Sequence, residues 1–171
     1  PTMVRMTWNI SHRIRSLLLA DTPSLSLPER IRATLGALLA VAVCGGILHL
    51  VPLPAYWLVA PVGASVVILF TLSHSPLAQP WPVVGSYAVA TLAGLLSLYW
   101  IKEPVVAAAV AVALTVWLMA RLNCIHPPGG ALAMLLVHEQ HAQMAPVGHT
   151  VALVALNALA LLLAAVVINN V

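Results

Sequence analysis

The chain has 171 residues, 62% of them hydrophobic and 6% charged, with a mean hydropathy of +1.04. A soluble domain carries about 25% charged residues, so this composition cannot build a water-facing surface and excludes a soluble globular fold. The formal charge of +3 comes mostly from Arg5, Arg13, Arg15, Arg30 and Arg32, ahead of the first long apolar run. That placement reads as an inside-positive, cytoplasmic N-terminus and not as a nucleic-acid surface.

Residues 8–20 place Trp8, Ile14, Leu17 and Leu18 near one side of a helix and Arg13 and Arg15 on the other. The pattern predicts an interfacial amphipathic helix within a cytoplasmic arm, residues 1–29. The order Ser26-Leu27-Pro28-Glu29 suits a helix start, with Ser26 or Leu27 near the cap and Pro28 in the first turn. Residues 30–171 form the membrane domain. Residues 33–101 contain no Asp, Glu, Lys or Arg, and an uncharged apolar run of about 18 residues is long enough to span a bilayer. Spans are predicted at 31–51, 56–72, 83–101, 104–122 and 150–168, with a short apolar piece at 129–138 followed by a polar loop. Tyr56, Trp57, Trp81, Tyr99 and Trp100 fall near span ends, where aromatic belts sit. No cleavable signal peptide is expected, because the first apolar run is long and starts late. The two cysteines, Cys44 and Cys124, suggest no disulfide framework.

The run "HPPGG" at 126–130 interrupts this apolar text. Pro127 and Pro128 lack N–H groups and suit only a first helical turn. Gly129 and Gly130 allow close backbone approach. The stretch therefore reads as a broken helix, which at membrane depth must be buried in protein or line a wet cavity. "APVGAS" at 60–65 offers a second such helix start. Two facing helix N-termini would present N–H groups and partial positive charge to an anion without any charged side chain.

Shifting the chain by 67 residues lays "PVGASVVIL" (61–69) on "PGGALAMLL" (128–136), matching Pro61, Gly63, Ala64 and Leu69. It lays 83–101 on 150–168, and His74 on His141. The halves, about 31–101 and 102–168, would have opposite orientation if each crosses three times, the inverted-repeat design of many secondary transporters. Whether 129–138 crosses or re-enters is open: about ten residues reach only about 15 Å. The expected fold is an all-α integral membrane protein, a compact helical bundle of four to six segments with two Pro-Gly-broken helices.

"IHPPGGA" (125–131), "APVGASVVILF" (60–70) and "SPLAQPWPVVGS" (75–86) resemble the three ordered motifs of the HPP family of integral membrane proteins. The resemblance covers roughly residues 30–168. Some members of that family are associated with nitrite transport, so it implies a transporter or channel for a small monovalent anion, nitrite first, in a membrane such as a bacterial inner membrane. The expected site is His126, Pro127, Pro128, Gly129, Gly130, Ala131, Pro61, Gly63, Ala64 and Ser65, with His74, Ser75 and Asn123 as further candidates. His126 can titrate in the physiological range and could couple anion to proton movement.

Ser73, Gln79 and Asn157 are further polar groups for a pathway. Cys124, His126, His138 and His141 do not form a compact zinc pattern, and no metal or cofactor is expected. The partners expected are the anion, the bilayer and a second copy of the chain, as a dimer; no nucleic acid. Two other functions stay open. One is a non-transporting assembly or sensor module. The other is a membrane enzyme, disfavoured because Asp21, Glu29, Glu103 and Glu139 all sit at membrane edges and no nucleophile or metallohydrolase motif exists.

Overall fold

The computed structural model describes residues 24–50, 58–142 and 146–170; the interfacial helix expected at 8–20 lies outside them. These residues form six α-helices: α1 (Leu27–His49), α2 (Val59–Thr71), α3 (Pro80–Trp100), α4 (Pro104–Arg121), α5 (Pro128–His141) and α6 (Val147–Asn169), with a 3-10 turn at Pro76–Ala78. α1, α3, α4 and α6 are long and apolar enough to cross a membrane. α2 and α5 are the two short ones.

Proline and short polar caps set the starts. Ser26 caps α1, its N–H and hydroxyl both donating to Glu29 Oε2 at 2.7 Å, so the helix begins four residues before the span predicted at 31. Glu103 caps α4, accepting from the Val105 and Val106 N–H groups. Prolines occupy the first turns of α1, α3, α4 and α5, where their missing N–H costs no hydrogen bond. The polar loop expected after 138 is shorter than read: α5 continues to His141 and α6 begins at Val147. Glu139 and Gln140 are good helix formers, and Gln140 Nε2 donates to Thr150 Oγ1 at 2.9 Å across the shortened connection.

The helices alternate long, short, long and again long, short, long. α1 packs on α2 and α6, as α4 packs on α5 and α3; α3 packs on α5, as α6 packs on α2; α2–α5 and α3–α6 meet directly. Exchanging the halves maps each of these pairs onto one of them. Burial repeats with the same register. In α2 the buried residues are Pro61, Val62, Ser65, Val66, Leu69 and Phe70. In α5 they are Pro128, Gly129, Leu132, Ala133, Leu136 and Val137, each 67 residues on. Ala40, Cys44 and Leu48 correspond likewise to Ala107, Ala111 and Thr115, all buried. So do Val83, Tyr87 and Ala90 to Thr150, Val154 and Asn157.

Both chain ends of the bundle meet on one side. Arg32 Nη1 donates to the Asn169 carbonyl (3.2 Å) and Asn169 Nδ2 to the Leu69 carbonyl (3.0 Å), joining the start of α1 to the ends of α6 and α2. Trp81 Nε1 donates to Leu122 O (3.0 Å), bringing the start of α3 and the end of α4 together. α4 starts at the far end, beside the end of α3, and His138 near the end of α5 lines a surface hollow with Pro104 and Val105 there. Residues 122–141 thus run from one end of the bundle to the other, part as extended chain and part as α5, and do not turn back.

Candidate functional site

Residues 122–127 leave α4 through Asn123, whose φ of 51° is the left-handed conformation that Asn tolerates, and turn inward. His126 ends up fully buried (0% exposed). Its Nδ1 lies 2.8 Å from the carbonyl of Leu77 in the 3-10 turn. Its Nε2 lies 2.9 Å from Ser65 Oγ in α2, and Ser65 Oγ lies 2.9 Å from Tyr87 Oη in α3. A carbonyl only accepts, so Nδ1 carries the proton. With the imidazole neutral, Nε2 then accepts from the Ser65 hydroxyl and Ser65 accepts from Tyr87. The result is one directional chain, Tyr87 to Ser65 to His126 to Leu77 O, across α3, α2, the α4–α5 linker and the 3-10 turn. Tyr87 and Ser65 are 1% and 0% exposed. Buried polar groups of this kind are costly in a membrane protein and concentrate where it functions.

The backbone around the chain explains the glycines and prolines. A Cβ on Gly129 would come 3.0 Å from Ser86 Cβ and 3.2 Å from Ser86 O; one on Gly85 would come 2.7 Å from Cys124 Cβ. Glycine at 85 and 129 therefore lets the linker and the start of α5 lie directly on α3. Gly63 and Gly130 have no such neighbours.

Two expectations need correction. The starts of α2 and α5 do not face each other: His126, just before α5, sits against Ser65, the seventh residue of α2, because the two short helices pack side by side. Nor are the backbone donors at the start of α5 free to hold an anion. Pro127 and Pro128 have none, the Gly129 N–H goes to His126 O (2.9 Å) and the Gly130 N–H to Pro127 O (3.0 Å).

Of the predicted residues, His126 and Ser65 are brought together. Pro61, Pro128 and Gly129 are buried beside them as packing, and Gly63, Gly130 and Ala131 are half-buried. Ser75 lies one step out: its Oγ accepts from Leu77 N at 3.2 Å and so shapes the turn that His126 bonds. The side chains of Ala64, His74, Asn123 and Pro127 are exposed; His74 lines a surface hollow with Glu29 and Arg32. His138 and His141 lie at the far end of α5, about 18 Å along the helix from its start, so they share no metal site with Cys124 and His126. Sequence reasoning missed Tyr87 and Leu77. Tyr87 had a signal: it is the tyrosine that falls inside an apolar run and not at a span end.

A helical bundle with this apolar exterior and buried polar chain is an integral membrane protein. The transmembrane region of the HPP family matches residues 22–171, and the chain belongs to that family. It is 33% identical over 117 residues to a transmembrane protein of Dictyostelium discoideum, covering 66% of this chain and 41% of the relative. A second Dictyostelium transmembrane protein is 33% identical over 118 residues, covering 67% and 38%. The chain thus spans about two fifths of the length of these relatives. No solved structure matches it.

Proposed function

We propose that the protein is a transporter or channel for a small monovalent anion, nitrite first, and not an enzyme. The observation that carries this is the Tyr87–Ser65–His126 chain, fully buried where the α4–α5 linker meets α2 and α3. Its hydroxyl and imidazole donors can turn to an anion oxygen, at a buried place with no charged side chain among the described buried residues. The repeated burial register and the opposed starts of α1 and α4 support an inverted repeat, the architecture in which transporters place a site between their halves. Nitrite itself rests on the family resemblance. The basic N-terminal arm supports a cytoplasmic N-terminus.

The proposed assembly is a dimer that plays no part in sealing the site. The turns around His126 and Gly129 are already buried within one chain, so a second copy would not be needed to seal them. Purified protein in liposomes tests the reading: saturable nitrite uptake above chloride and nitrate supports it. Folded protein that moves no anion, or that co-purifies tightly with one partner and is inert alone, would transfer the argument to an assembly or sensor module.

A further inference from the structure

Asn157 is the eleventh residue of the 23-residue α6, near the midpoint of a membrane-crossing helix, and is 0% exposed. Its amide nitrogen donates to the Leu153 carbonyl one turn back at 2.9 Å, which fixes which end of the amide is oxygen. That oxygen, Oδ1, has no partner. An unpaired polar atom in an apolar interior is costly, and 67 residues earlier the same register holds an apolar residue, Ala90, equally buried. Oδ1 can only accept. A bare anion, also an acceptor, gains nothing from it.

A second observation points the same way. Among the described residues the buried polar side chains are Ser, Thr, Asn and His126, with no Lys, Arg, Asp or Glu. Arg30, Arg32, Lys102, Glu103, Arg121 and Glu139 all sit in loops or near helix ends. An uncompensated ion in such surroundings meets a desolvation cost of several kcal/mol even after relaxation. Resting on the transport reading above, we propose that Asn157 is a substrate-binding residue for the neutral conjugate acid of the anion, which the protein moves together with one proton. At one face nitrite takes a proton from hydronium, giving nitrous acid and water. At the bundle centre the acid O–H donates to Asn157 Oδ1. At the other face the O–H bond breaks and the proton returns to water. No electrons move, and no net charge crosses.

The experiment uses the full chain in phosphatidylethanolamine–phosphatidylglycerol vesicles at mildly alkaline pH, with nitrite as the probe. Uptake is read above the leak of protein-free vesicles, with an internal pH dye and a potassium diffusion potential of either sign. The expected result is one proton per nitrite and a rate indifferent to the potential. Asn157→Leu, close in volume, is expected to melt at the same or a higher temperature, since it removes an unpaired buried polar group. Its nitrite flux is expected to fall by about tenfold or more. A flux driven by the potential overturns the proposal. So does an Asn157→Leu protein that transports at the normal rate, or one that melts lower or fails to fold, which would make Asn157 a structural partner. Folded wild-type protein with no nitrite flux at all defeats the transport reading itself.

Discussion

The two halves of the bundle share much of their burial register and fill it with different residues. Where the first half carries Ser65 and Tyr87, the second carries Leu132 and Val154, all four buried. Where the second half has Gly129 pressed on α3, the first has Val62, equally buried. Helix–helix geometry evidently fixes which positions face inward, while the residue types placed there are free to diverge. The hydrogen-bonded chain joins Ser65 and Tyr87 of the first half to His126 of the second, while the residues equivalent to Ser65 and Tyr87 are apolar, so the site is asymmetric although much of the burial register repeats.

That comparison can be broken at its most crowded point. Gly129→Val, which copies the residue at 62, is expected to destabilise the protein by about 3 kcal/mol, the upper end of ordinary overpacking, because Ser86 and its backbone oxygen cannot yield. Thermal unfolding in detergent measures this; an unchanged midpoint would mean the halves are more interchangeable than the contacts allow. His126→Ala comes next. It strands the Leu77 carbonyl and the Ser65 hydroxyl at a cost of about 2 kcal/mol, and should remove nitrite flux or its pH dependence while the protein still folds. Normal pH-dependent flux in that variant would withdraw the role given to His126.

Tyr87→Phe makes the first half more like Val154 in the second. It removes one donor and leaves Ser65 bonded to His126, so about 1 kcal/mol is expected, with flux slowed less than in His126→Ala. A larger loss of flux than in His126→Ala would place the anion nearer Tyr87. The smallest effect belongs to the equivalent open glycines. Gly63→Ala and Gly130→Ala should be neutral or gain up to about 1 kcal/mol from helix propensity. Loss of transport in either, with stability intact, would show that an open glycine serves the pathway and not the packing.

The sequence alone determined the membrane class and the order of five apolar spans and one short piece, with the number of membrane segments left at four to six. Those follow from composition, run length and proline placement, all local properties of the chain. The spacing of 67 was legible in α2 with α5, where Pro, Gly, Ala and Leu recur, and in α3 with α6, where Val, Ala and Leu recur. It was illegible between α1 and α4, whose equivalence is carried by burial and not by identity. "HPPGG" and "APVGAS" singled out His126 and Ser65 as site candidates, and both are buried.

That these two residues touch is a tertiary fact, as 61 positions separate them and only the antiparallel packing of α2 on α5 sets the depth at which they meet. The same packing decided that the helix starts lie beside each other's middles and not face to face. The Gly129 and Gly130 N–H groups closed on the linker's own carbonyls for a local reason, the two prolines ahead of them. Leu77 could not have been found at all, because it contributes a carbonyl, and every residue has one. The unpaired oxygen of Asn157 likewise depends on what surrounds it, which periodicity along one helix cannot report.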